Sequence, residues 1–124
     1  MSHVTATRER IAGFAALDHE GPIHMLNLLR YRPEGGRERY GEYKKAALRI
    51  LMKAGARVAV AGEPLIGLIG PDDEAWDEMI VVEYPSREAF LSMITSPEYR
   101  AIAHLREEAL LDSRLVCMRP LPTF

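Results

Sequence analysis

Between Gly21-Pro22 and Pro33 runs the segment Ile-His-Met-Leu-Asn-Leu-Leu-Arg-Tyr (Ile23 to Tyr31), apolar at six of nine positions and free of Gly and Pro. Nine residues are few for a helix, and the near-continuous apolarity fits a central strand buried on both sides. Alternation places Ile23, Met25, Asn27 and Leu29 on one face and His24, Leu26, Leu28 and Arg30 on the other. Whatever this chain folds into must therefore cover two greasy faces of one sheet.

The remaining elements follow from periodicity and punctuation. Thr5 to Leu17 reads as a short helix capped by Thr5 or Thr7, with Ile11, Phe14 and Ala15 on one side. Gly21-Pro22 closes this leader, so residues 1–21 are expected as a helical appendage and residues 22–124 as one α+β domain. Pro33-Glu34-Gly35-Gly36 is a turn. Arg37 to Ala54 carries Tyr40, Tyr43, Ala47, Ile50, Leu51 and Ala54 at steps of three and four, an amphipathic helix that Gly55 stops. Arg57 to Ala61 and Leu65 to Ile69 read as one strand interrupted near Gly62-Glu63-Pro64, and Trp76 to Tyr84 as its hairpin partner. Ser86 and Ser96 each precede a helical pattern, the second with Pro97 at the first helical position, and Arg114 to Arg119 is a closing strand.

Strand, helix, strand, strand, helix, strand after a leader describes a ferredoxin-like βαββαβ sandwich, with helices on one face of a four-stranded antiparallel sheet. The other face would then be an apolar patch larger than a monomer ordinarily exposes. A homodimer joined through the open sheet face resolves this, since two-fold pairing is the commonest solution. Charge is uneven: residues 1–62 hold 11 Lys+Arg and 6 Asp+Glu, residues 63–124 hold 5 and 12. Such asymmetry can attract an anion or orient two subunits, or simply mark a solvated helix face.

Within this frame a few residues carry chemistry. Arg106 falls on the sheet-facing stripe of the last helix with Tyr99, Ile102, Ala103 and Leu110. A guanidinium there needs a carboxylate (Glu83 or Glu78), an escape to the edge, or an anionic ligand. Asn27, the one amide in an apolar strand, bridges backbone or pins a ligand in an apolar pocket. Tyr99 and Trp76 complete the substrate-binding set. His104 or Tyr43 is the group expected to move a proton, with a surface role as the plain alternative for His104.

Other chemistries are disfavoured. No His, Cys or carboxylate spacing fits a metal, no glycine motif fits a nucleotide cofactor, and the single cysteine, Cys117, has no activating neighbour in sequence. No cofactor or metal is expected. No apolar run reaches the roughly 20 residues of a membrane span, and Met1 to Phe14 lacks the apolar core of a secretory signal, which points to the cytoplasm. RNA binding, which the same strand order permits, would need aromatic residues on the two central strands and a basic surface. The net charge is instead −2.

Met25-Leu26-Asn27-Leu28-Leu29-Arg30-Tyr31, Tyr84-Pro85-Ser86 and Ser96-Pro97-Glu98-Tyr99 together resemble the domain of unknown function 1330 family, grouped with the dimeric α+β barrels, over about Pro22 to Pro120. The resemblance implies the sheet-to-sheet dimer. The wider superfamily includes cofactor-independent monooxygenases, lactone isomerases and haem-dependent chlorite dismutase relatives, several with a substrate pocket between sheet and helices. Only the pocket location carries over, because no motif here matches the catalytic residues of any of them. The expected function is binding or transformation of a small organic anion or aromatic compound, as a monooxygenase- or isomerase-like enzyme, or as a non-catalytic sensing module.

Overall fold

The computed structural model describes residues 2–123. Eight elements follow one another: α1 (Arg8–Ala15), β1 (Ile23–Tyr31), α2 (Gly36–Lys53), β2 (Arg57–Gly62), β3 (Glu78–Tyr84), α3 (Arg87–Thr95), α4 (Pro97–Ala109) and β4 (Leu110–Met118). The strands pair antiparallel in the order β2-β3-β1-β4. This is the expected ferredoxin-like α+β arrangement after a leader helix.

Local chemistry sets the ends of the helices. Thr7 caps α1 by accepting from the Arg10 amide, and Ser86 and Ser96 accept from the amides of Ala89 and Tyr99 at the starts of α3 and α4. Gly55 takes φ 78° immediately after α2, the left-handed stop its position suggested. Gly36 has a different constraint. A Cβ there would lie 2.6 Å from the Ala109 carbonyl oxygen and 3.0 Å from Tyr31 Cβ. Neither atom sits on a flexible side chain, so Gly36→Ala is expected to lower stability by about 1–3 kcal/mol, read as an earlier urea midpoint.

The faces of β1 divide as alternation requires. Ile23, Met25, Leu29 and Tyr31 are buried beneath the helices with Ile80, Val82 and Tyr84 of β3, which puts Asn27 on the covered side. The opposite face is ordered in rows across the sheet. Val60, Val81, Leu26 and Val116 form an apolar row spanning all four strands, and Met79 and Leu28 extend it. Val60, Met79 and Val116 are exposed. At one end of this face stand Arg57, Glu83 and His24, and at the other Arg30 and Arg114 flank Trp76.

The second strand departs from expectation. It ends at Gly62, its irregularity falls between Val58 and Val60 instead of near Pro64, and residues 63–77 form a loop. Leu65 to Ile69 has strand-like composition, but β3 begins only at Glu78, opposite Leu29, so no neighbouring strand is left for it to pair with. Strand 4 also begins earlier than expected: α4 passes into β4 directly through Ala109 and Leu110, both fully buried. Among the described residues no helix is long and apolar enough to cross a membrane.

Candidate functional site

All five tyrosines gather on the covered side. Tyr31 ends β1, Tyr84 ends β3, Tyr40 and Tyr43 stand three apart on the inner face of α2, and Tyr99 lies in the first turn of α4. Ring centroids of Tyr31 and Tyr40 are 5.6 Å apart, those of Tyr40 and Tyr43 5.2 Å, and those of Tyr43 and Tyr99 6.3 Å. The Tyr43 and Tyr99 hydroxyls share a 2.8 Å hydrogen bond across the two helices. Burial above all raises four of these phenols: Tyr40 is pushed up to about 12, and Tyr31, Tyr43 and Tyr84 are raised further. The cluster therefore offers neutral hydroxyls, which donate and accept, and not phenolates.

Charge enters this aromatic layer at two places. Glu78, mostly buried at the start of β3, accepts from the Tyr31 hydroxyl and from the Lys44 ammonium. Lys44 also lies 5.6 Å from the Tyr40 ring, and the Arg37 guanidinium 4.9 Å from the Tyr31 ring. Arg106 reaches in from α4, tempers the rise of the Tyr40, Tyr43 and Tyr84 pKa values, and donates to the Val4 carbonyl at 3.0 Å. Neither carboxylate considered for it is available. Glu78 is taken by Lys44 and Tyr31, and Glu83 lies on the other sheet face with His24 (2.9 Å) and Arg57 (3.2 Å). Among the described residues Arg106 has no ion-pair partner.

The sequence-derived candidates separate accordingly. Arg106, Tyr43 and Tyr99 come together, and Asn27 shares their side of the sheet, its amide donating to the Met25 carbonyl at 3.3 Å. Trp76 lies on the opposite side, between the guanidiniums of Arg30 (5.3 Å) and Arg114 (5.1 Å). His104 is exposed on the outer surface of α4. Lys44, Tyr31 and Tyr40 were not singled out as a charge cluster with Glu78, yet signals for it exist. Glu78 occupies the inward phase of β3 with Ile80, Val82 and Tyr84, and Lys44 follows Tyr40 by one helical turn. Two hollows open nearby, a mainly apolar one of about 220 Å³ between Ile50, Ala54, Ala89 and Met93, and a polar one of about 390 Å³ beside Tyr31, Arg32, Arg37 and Asp77. Asn27 and Arg106 line neither.

The N-terminal segment is tied to the same region. The His3 amide donates to Asp112 Oδ1 at 2.8 Å, the Ser113 hydroxyl donates to the His3 carbonyl at 2.7 Å, and Val4 packs against the core. Burial alone would raise the Asp112 pKa. The amide of His3, the Arg114 guanidinium and the amide of Ser113 overcome this and hold it below the usual carboxylate value. Its contribution to stability is thus complete above about pH 4 and lost as pH falls through the lower folded value. Asp112→Asn should be less stable than wild type at neutral pH and lose less stability on acidification to about pH 2, checked by denaturant titration across that range.

The model of the family described as a domain of unknown function (DUF1330) matches residues 35–119, from the turn before α2 to just past β4. The Met25–Tyr31 run lies ahead of that span. No curated protein matches the chain. Among solved structures, a protein of unknown function from Rhodopseudomonas palustris is 41% identical, with a TM-score of 0.96 over 99% of this chain and 100% of that one. Two others share the fold alone. A dabb family protein with a ferredoxin-like fold from Mesorhizobium loti is 13% identical (TM-score 0.60, over 82% of this chain and 99% of that one). A dimeric ferredoxin-like protein of unknown function from Thermobifida fusca is 16% identical (TM-score 0.55, over 83% and 94%). By the extent of the family match and the identity to the Rhodopseudomonas protein, the chain belongs to the DUF1330 family.

Proposed function

We propose that this protein binds a small organic anion or aromatic compound between its helices and its sheet, and does so as a homodimer joined through the open sheet face. The observation that carries the ligand reading is Arg106: a half-buried guanidinium among tyrosine rings, facing only the neutral Val4 carbonyl and Tyr40 hydroxyl, with no carboxylate partner among the described residues. A guanidinium has five N–H donors in a planar fork suited to a carboxylate or enolate. In this reading Arg106 meets the negative charge, the aromatic rings stack or edge against a flat ligand, and Asn27 with the Tyr43–Tyr99 hydroxyl pair orients a carbonyl or hydroxyl. Tyr43, whose proton burial holds more tightly than in a free phenol, would enter as a neutral hydrogen-bond donor. His104, out on the helix surface, would need an open cleft mouth to take part. The dimer reading rests on the apolar row Val60–Val81–Leu26–Val116 and on the dimeric Thermobifida protein of the same fold. It adds no cofactor, nucleic acid or membrane to the account.

Benzoate and 4-hydroxybenzoate serve as probes of the ligand reading, by calorimetry on wild type and Arg106→Met. Loss of the charge-assisted contact should weaken probe binding at least tenfold. Unchanged affinity in a variant with native circular dichroism would remove Arg106 from the site. A sensing module with the same pocket is the second reading, favoured if a metabolite that copurifies with the protein is released chemically unaltered.

A further inference from the structure

The loop between β2 and β3 has a firmly held base and a bare tip. At the base, the Asp77 amide donates to the Leu29 carbonyl at 2.7 Å and Asp77 Oδ2 accepts from the Tyr31 amide at 2.8 Å. Arg30 donates to the carbonyls of Ala75 (2.8 Å) and Asp73 (3.4 Å), and Trp76 is held between Arg30 and Arg114 on the open sheet face. The tip is Pro-Leu-Ile-Gly-Leu-Ile-Gly. Leu65, Ile66, Leu68 and Ile69 are 93%, 78%, 87% and 99% exposed. Single exposed aliphatic residues are ordinary, but four within five positions on an anchored stalk make a contiguous patch that water alone does not cover well.

We infer that residues 63–70 are an arm that packs on a second copy of this chain, gripping the far end of the partner's open sheet face. The inference rests on the dimer reading above and adds what holds the dimer and in which direction it is assembled. The arm grows from the rim of the unpartnered face, through Gly62 and the Trp76 stack, so it is continuous with the surface the partner would cover. Charge chooses the direction. Exposed Glu63, Asp72, Asp73 and Glu74 outnumber Arg30 and Arg114 at the arm end, whereas at the opposite end Arg57 and Arg119, beside His24, outnumber Glu83, with which Arg57 and His24 pair. Two copies stacked arm end to arm end would set acidic groups against each other. Strands antiparallel across the interface instead bring each acidic arm to the partner's Arg57 and Arg119, which favours encounter and suppresses the other register. The arm is isologous, so each subunit gives one and receives one.

Sedimentation equilibrium of the full chain tests this. Wild type that remains monomeric at micromolar concentration overturns the dimer reading itself and the arm with it. Given a wild-type dimer, Leu65→Ser, Ile66→Ser, Leu68→Ser and Ile69→Ser combined should weaken association at least 100-fold. Native circular dichroism is expected, because these side chains are highly exposed and lie outside the core of their own subunit. A change below tenfold would overturn the arm and leave the dimer standing. Asp72→Lys with Asp73→Lys should weaken the dimer about tenfold at low salt; strengthening or no change would refute the antiparallel assembly.

Discussion

If the protein pairs through its open sheet face as proposed, Leu26→Asp should leave a folded monomer, raising the dissociation constant by three or more orders of magnitude. Leu26 stands at the centre of the row that crosses the open face, between Val81 of β3 and Val116 of β4. In a face-to-face dimer it would be fully desolvated, and a carboxylate there has no cation in its own row to pair with. Burying such a charge unpaired costs several kcal/mol, and a two-fold interface incurs that cost twice, once from each subunit. In the free subunit the position is only half-buried, so the fold should survive. Light scattering reads the mass and near-ultraviolet circular dichroism the packing. Val60→Asp, in the same row on the edge strand β2, should act in the same direction more weakly.

Three residues along the same strand, Leu29→Ala should do the reverse. Leu29 is 0% exposed, wedged beneath the helices, and its amide plane is tied through its carbonyl to Asp77. Truncation removes buried methyl groups and leaves a cavity that a close-packed core fills only in part, a loss of about 2–5 kcal/mol. For a domain of this size that is a large fraction of total stability. Urea unfolding should show the earlier midpoint with an unchanged slope, and the molecules still folded should associate as wild type does. One strand would thus carry two separable functions on its two faces.

The grouping of residues into two faces was legible from alternation, because a pleated strand leaves no choice about which residues share a face; which face lies beneath the helices, and so where Asn27 sits, was not. The helices were also legible. Ser86, Ser96-Pro97 and Gly55 act within one turn of their own position, so they needed no knowledge of the rest of the chain. Leu65 to Ile69 misled for the converse reason: strand-like composition becomes a strand only if a neighbour offers a ladder, and the offset between β2 and β3 leaves none. The candidate site was legible in part. Arg106 was marked by its place on the inner stripe of α4, but its partners could not be chosen from the sequence: parity puts Glu78 and Glu83 on opposite faces of β3 without saying which face lies beneath the helices. The same parity places Glu78 among the tyrosines. Trp76 was beyond reach, because a residue in a loop carries no periodicity to say on which side of the sheet it lies.

The charge of Arg106 amid neutral tyrosines is the heart of the functional account, and the side-chain Nε–H resonance of Arg106 in an isotope-labelled protein reports on it directly. Titration with benzoate, 4-hydroxybenzoate and related aromatic carboxylates should move that resonance saturably, together with signals of Tyr43 and Tyr99. If every such compound leaves it in place, or moves only residues on the outer surface of the helices, the guanidinium is not a ligand anchor and the proposed site is wrong.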